Sequence, residues 1–255
     1  MSDRLLVFGD DGSAEADVAW LWINCQRWDG WRIVVAQAQP SPPGPPLTTD
    51  RAELHSWSPP CPRRPFAEAQ LHSCTYLTAE ADPRVVLTAP ADLLVIGPRG
   101  TGLLKALHLG STAEWLVTHP PGPLVIARHG RPVRHVVVGV DGSAHAEHAA
   151  RTFASLPLVR GADVTVLAVD DGRTDTVTAT TAAVELLSSA GAIVTPRIVT
   201  GRPTAALLEA IATDHADLVV LGTRGLTGLE RLRVGSTAGA VTRAAPCSVL
   251  IAVEE

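Results

Sequence analysis

The chain has one lysine, Lys105, among its 21 basic side chains. A phosphate loop of the form GxxxxGK[ST] places a lysine beside the phosphate it transfers, and no such segment exists here. GxSxG and HExxH are missing as well, which excludes a serine-hydrolase elbow and a zincin site. The four cysteines, Cys25, Cys61, Cys74 and Cys247, show no CxxC spacing. A zinc knuckle or dithiol redox motif is therefore not expected, and they read as reduced thiols, mostly buried. No apolar run approaches the roughly 18 residues that cross a bilayer. The start, "MSDRLLVFGDD", carries acids where a signal peptide has its basic region, so a cytoplasmic location is expected. Charge of one sign is also lacking. The net −5 divides into ten basic and thirteen acidic side chains in residues 1–130 and eleven and thirteen in 131–255. Neither half is a nucleic-acid arm or a membrane patch. Tryptophan is missing from the second half. All six, at 20, 22, 28, 31, 57 and 115, precede residue 116 and are expected to fill core and interface.

What is present is a duplication. Shifted by 125 residues, "GPRGTGLLKALHLGSTA" (97–113) and "GTRGLTGLERLRVGSTA" (222–238) share nine identities in seventeen positions. Their flanks agree too, "ADLLVIG" with "ADLVVLG" before and "PLVIA" with "SVLIA" after. At an offset of 130, "DGS" at 11–13 meets "DGS" at 141–143, each following an apolar run. The chain is thus expected to hold two tandem units, 1–130 and 131–255, with a seam near Gly130–Val133.

Each unit alternates short continuous apolar runs with helix-spaced segments. In the second, "HVVVGV", "DVTVLAV", "IVTPRIVT", "DLVVLG" and "SVLIAV" read as strands. "SAHAEHAARTFASLPLV", "TATTAAVELLSSAG", "TAALLEAIATDHA" and a segment from Ser236 read as helices. Strands apolar on both faces and alternating with helices predict an α/β fold, a doubly wound, Rossmann-like parallel sheet of five strands in each unit. The first unit departs at 40–65, where proline density forbids a long helix, and its third helix shrinks to "DPRVVLTAPA".

The glycines have a chemical reading. In such sheets a ligand sits beyond the strand carboxyl ends where strand order reverses, and the glycine loop follows the fourth strand of each unit. Gly97 and Gly100, and Gly222 and Gly225, allow tight turns and close approach of backbone to a ligand. Gly110, Ser111 and Thr112, and Gly235, Ser236 and Thr237, then open a helix whose free N–H groups and hydroxyls suit a phosphate. Asp11 and Asp141 close the first strands across the same crevice, where a carboxylate suits a sugar hydroxyl or a base amino group. The plainer reading is a tight turn, an Asp-Gly turn and a helix cap, and Ser111 with Glu114 fits a capping box.

With GxxGx9G[ST] after a strand in both units and "DGS" ending both first strands, the chain resembles the universal stress protein family in its tandem two-domain form. The resemblance covers nearly the whole chain. It implies strand order 3-2-1-4-5 in each unit and ATP, with or without Mg, bound by its phosphates on the Gly-Ser-Thr helix. Asp141 and Val169 would contact the nucleoside in the second unit, Asp11 and Ala38 in the first, and Arg99 and Arg224 fall beside the phosphates. It also implies that the units pair through their last strands as an internal pseudo-dimer, with a homodimer as a further option.

A binding module for ATP or a related adenine nucleotide, acting in stress response or signalling, is the reading that follows, with no turnover enzyme and no nucleic-acid or membrane partner. Two alternatives stand beside it. One is an apo interaction scaffold with one or both clefts degenerate. The other is an adenine nucleotide α-hydrolase-like enzyme, for which Ser13 and Ser143 are present but a lysine at the first strand is not.

Overall fold

The computed structural model describes residues 4–39, 74–100, 109–170, 175–223 and 235–253. The proline-rich stretch 40–65 lies outside them, as do Trp57 and Cys61.

The first unit runs β1 (Arg4–Gly9), α1 (Ala14–Asn24), β2 (Trp31–Gln39), β3 (Cys74–Glu80), α2 (Pro83–Val86), β4 (Leu93–Ile96), α3 (Ser111–Thr118) and β5 (Leu124–Ile126). The second runs β6 (His135–Val140), α4 (Ala144–Ser155), β7 (Asp163–Asp170), α5 (Thr176–Ser189), β8 (Ile193–Thr200), α6 (Pro203–Thr213), β9 (Leu218–Gly222), α7 (Ser236–Ala244) and β10 (Ser248–Ala252). The expected strand order appears twice, and the two sheets are one. Its ten strands lie in the order β3-β2-β1-β4-β5-β10-β9-β6-β7-β8.

Every pairing is parallel except the one at the centre, where β5 meets β10 antiparallel with Ile126 opposite Val249, Val125 opposite Leu250 and Leu124 opposite Ile251. All six of these side chains are fully buried. An apolar three-residue edge would invite foreign pairing if exposed, and here each unit covers the other's edge.

Successive strand residues point to opposite faces, so both faces need cover. Leu6, Phe8, Val136, Val138 and Leu250 pack with Trp20 and Trp22 of α1, Phe153 of α4 and Leu187 of α5. Val7, Val137, Leu124, Ile126 and Ile251 pack with Leu116 of α3, Leu207 and Ile211 of α6 and Val241 of α7. Four tryptophans are core as expected, with Trp28 edge-on to Trp31 at 5.5 Å between centroids. Trp115 is instead only partly buried and stacks on His119. The cysteines depart from expectation. Cys247 is buried, whereas Cys25 and Cys74 are only partly covered because they end a helix and begin an edge strand.

The connection between the units is pinned. His129 Nε2 donates to the Asp217 carbonyl at 2.8 Å, and Asp217 Oδ2 accepts from the N–H groups of Arg134 and His135, both at 3.1 Å. The Gln26 amide donates to the Arg131 carbonyl and accepts from the Val133 N–H, each at 3.1 Å.

Candidate functional site

Both Asp-Gly-Ser segments build the same turn at the end of a first strand. Asp11 Oδ1 accepts the Ser13 N–H and Asp141 Oδ1 the Ser143 N–H, each at 3.0 Å. Gly12 and Gly142 turn the chain with φ of 73° and 76°, the left-handed region that favours glycine. Ser13 and Ser143 then cap α1 and α4, accepting the N–H of Ala16 at 3.1 Å and of Ala146 at 3.2 Å. The turn reading of the two aspartates is therefore realised. It leaves Asp11 Oδ2 directed at the glycine loop, where a Cβ on Gly100 would run into it.

Gly97 and Gly222 are both required by packing. A Cβ on Gly97 would stand 2.8 Å from the Glu15 carbonyl, and one on Gly222 would stand 2.5 Å from that of His145. Each is the point at which a fourth strand passes under the first turn of the helix that follows the first strand. Arg224 and Gly225 lie outside the described residues.

Among the described residues, a backbone hydrogen bond joins the residues on either side of each loop. Gly110 N–H donates to the Pro98 carbonyl at 2.8 Å and Gly235 N–H to that of Thr223 at 2.5 Å. In both units the glycine is then the N-cap, in extended backbone, with Ser111 or Ser236 as the first helical residue, exposed, and Thr112 or Thr237 half-buried behind it. No side chain caps either helix. The capping box expected of Ser111 and Glu114 is absent because the serine sits one position too far into the helix. By contrast α1, α2, α4 and α5 are each capped by a serine or aspartate side chain. Among the described residues, no side chain therefore takes up the first N–H groups at the positive ends of these two helices.

Ala38 and Val169, the residues expected to meet a nucleoside, sit near the carboxyl ends of β2 and β7, partly exposed, beside the strands that lead to Asp11 and Asp141. The Arg99 guanidinium pairs with Glu15 at 2.6 Å. Reading of the sequence singled out neither Glu15 nor Arg128. Arg128 donates from Nη2 to the Thr242 carbonyl at 2.6 Å, a contact between residues 114 positions apart that no local pattern announces. Among the described residues no group of three or more His, Cys, Asp or Glu stands ready for a metal ion. No described helix is long and apolar enough to cross a membrane.

The model of the universal stress protein family matches residues 65–128 and 177–252. A universal stress protein of Mycobacterium tuberculosis is 31% identical over 186 residues, which cover 63% of this chain and 58% of that protein. The chain thus spans little more than half the length of that relative. A putative universal stress protein of Staphylococcus saprophyticus is 31% identical over 137 residues, 46% of this chain and 82% of its own. Among solved structures, a universal stress protein from Archaeoglobus fulgidus is similar in fold over 100% of both chains, with a TM-score of 0.70 at 20% identity.

Proposed function

This chain belongs to the universal stress protein family, and on that premise we propose that it binds ATP and acts as a nucleotide-dependent stress-response or signalling module rather than as a turnover enzyme. Residues 1–130 and 131–255 are the two nucleotide-binding domains. The observation that supports the reading is the pair of matching helices, α3 and α7, each opened by a glycine N-cap and a Ser-Thr pair with no side-chain cap, at the same place in both units.

A polyphosphate fits there for physical reasons. Backbone N–H groups of residues 111–113 and 236–238 would donate to its oxygens, and Ser111 and Ser236 would add one hydroxyl each. Asp11 and Asp141, with Ala38 and Val169, would meet the nucleoside. Magnesium, as the usual companion of ATP, would be carried on the phosphates. With one lysine in the chain and no GxxxxGK[ST] loop, positioning and binding are the roles proposed for these residues.

Native mass spectrometry of gently purified protein tests this reading. A mass increment matching an adenine nucleotide is expected, and its absence after incubation with ATP would favour the scaffold alternative. Steady-state pyrophosphate release from ATP would favour the α-hydrolase-like enzyme.

A further inference from the structure

Arg128 follows β5 at the seam of the two units, beside a cavity of about 240 Å³. Among the described residues its polar wall is Glu15, Arg99 and Arg128, and Val18, Pro98, Ala245 and Pro246 line its apolar side, Pro98 and Arg99 coming from the first glycine loop. We propose that this seam cavity is a binding site for a small phosphate group, free phosphate or a phosphomonoester, centred on Arg128 and bordering the first glycine loop through Arg99 rather than lying at the starts of α3 and α7.

Charge is the first argument. Among the described residues the cavity's lining carries two guanidinium groups and one carboxylate, and Glu15 is engaged by Arg99 at 2.6 Å. Arg128 has only neutral acceptors. Its Nη2 meets the Thr242 carbonyl, and among the described residues no carboxylate stands within ion-pair distance of it. Its Nε is buried without an acceptor. A half-buried cation satisfied by neutral groups alone is an unfavourable arrangement that an anion would relieve. The burial itself pulls the Arg128 pKa down, and the nearby Arg99 charge adds to that.

Position is the second. The Arg128 backbone N–H donates to Ser248 Oγ at 3.2 Å while its head is fixed on Thr242, so the fork is held in place before any ligand arrives. Planar guanidinium forks match phosphate oxygens, and the cavity far exceeds the 10–15 Å³ or so that one water needs. Glu15 on the same wall favours a species that keeps a P–OH proton to donate. The duplication gives the site no twin, since Val253 stands where Arg128 does and His145 where Glu15 does.

Inorganic phosphate is the probe, followed by 31P line broadening and by thermal unfolding of the full chain without ATP. Phosphate is expected to broaden and to raise the midpoint, sulfate to act less and acetate least. Glycerol phosphate as a parallel probe separates a free-phosphate site from a phosphomonoester site, according to which binds more tightly. Arg128→Met, which keeps the aliphatic stem, is expected to weaken phosphate by about tenfold or more, and Arg128→Gln likewise, each compared with its own ligand-free midpoint. The double variant Ser111→Ala, Ser236→Ala is expected to keep the seam affinity. Unchanged phosphate affinity in both Arg128 variants, no binding to the full chain, or loss in the serine double variant alone would each overturn the proposal, the last by placing the phosphate at the helix N-termini.

Discussion

Glu114 of α3 pairs with Arg243 of α7, with Arg243 Nε donating to Glu114 Oε2 at 3.3 Å and a second contact through Nη2. The two helices that open the candidate phosphate sites are thus tied directly across the seam, by residues 129 positions apart. Both side chains are more than a third exposed, so water and salt screen the pair. A double-mutant cycle of Glu114→Ala and Arg243→Ala, read by urea unfolding, is expected to give a coupling of about 0.2–1 kcal/mol. The coupling should shrink as salt is raised from 0.05 to about 0.5 M.

Gly222 and Gly9 both end strands, yet they should tolerate alanine differently. A Cβ on Gly222 would meet the α4 backbone at 2.5–2.9 Å, and backbone cannot step aside. One on Gly9 would meet the tips of Ile96 and Leu87 at 2.9–3.1 Å. Gly222→Ala is expected to destabilise by about 3 kcal/mol, the upper end of overpacking costs, and Gly9→Ala by about 1 kcal/mol. Chemical denaturation of the two variants checks the ranking.

Much of this architecture was legible before any coordinates. The strands declared themselves as continuous apolar runs because a parallel sheet covered on both faces has no polar face to show, as "HVVVGV" and "DLVVLG" illustrate. The duplication then located both glycine loops and both aspartate turns. Three features were not legible. The role of Gly222 depends on how closely α4 approaches β9, a tertiary distance. The failed capping box turns on one residue of helix register, since Gly110 rather than Ser111 takes the cap. Arg128 and Glu114 find their partners across the seam, where sequence separation exceeds 110 residues and no periodicity connects them.

His129 makes the seam sensitive to acid. Burial, offset only in part by its hydrogen bond to the Asp217 carbonyl, lowers its pKa below the usual 6.5, so the folded state holds the neutral ring. Once unfolded the ring takes up a proton near pH 6.5. The stability this contributes is present above that pH. It is lost as pH falls from about 6.5 toward the folded-state pKa, where the unfolded chain binds more protons. Urea midpoints measured from pH 7.5 to 5.5 are expected to fall more steeply for the natural chain than for His129→Gln.

Thiol reactivity should follow burial. The Cys247 pKa is pushed up to about 12, first by desolvation, and that of Cys74 to about 11 by the same cause. Only the thiolate is nucleophilic. Iodoacetamide at pH 8 is expected to leave Cys247 unmodified in the native protein and to label it after denaturation, as read by peptide mass spectrometry.

The central claim, that the glycine-capped starts of α3 and α7 hold the phosphates of ATP, is tested most directly by calorimetric titration of ATP into Gly235→Val. Gly235 has φ −67° and ψ 159°, an extended conformation that valine adopts without backbone strain. A Cβ on Gly110, by contrast, would stand 3.3 Å from the backbone of Arg99 and Gly100, so the folded state of each variant is the control. Removal of the second-unit binding heat is expected, with circular dichroism unchanged and the remaining event abolished by adding Gly110→Val. ATP heats in the doubly substituted, folded chain that match those of the natural protein would contradict the account.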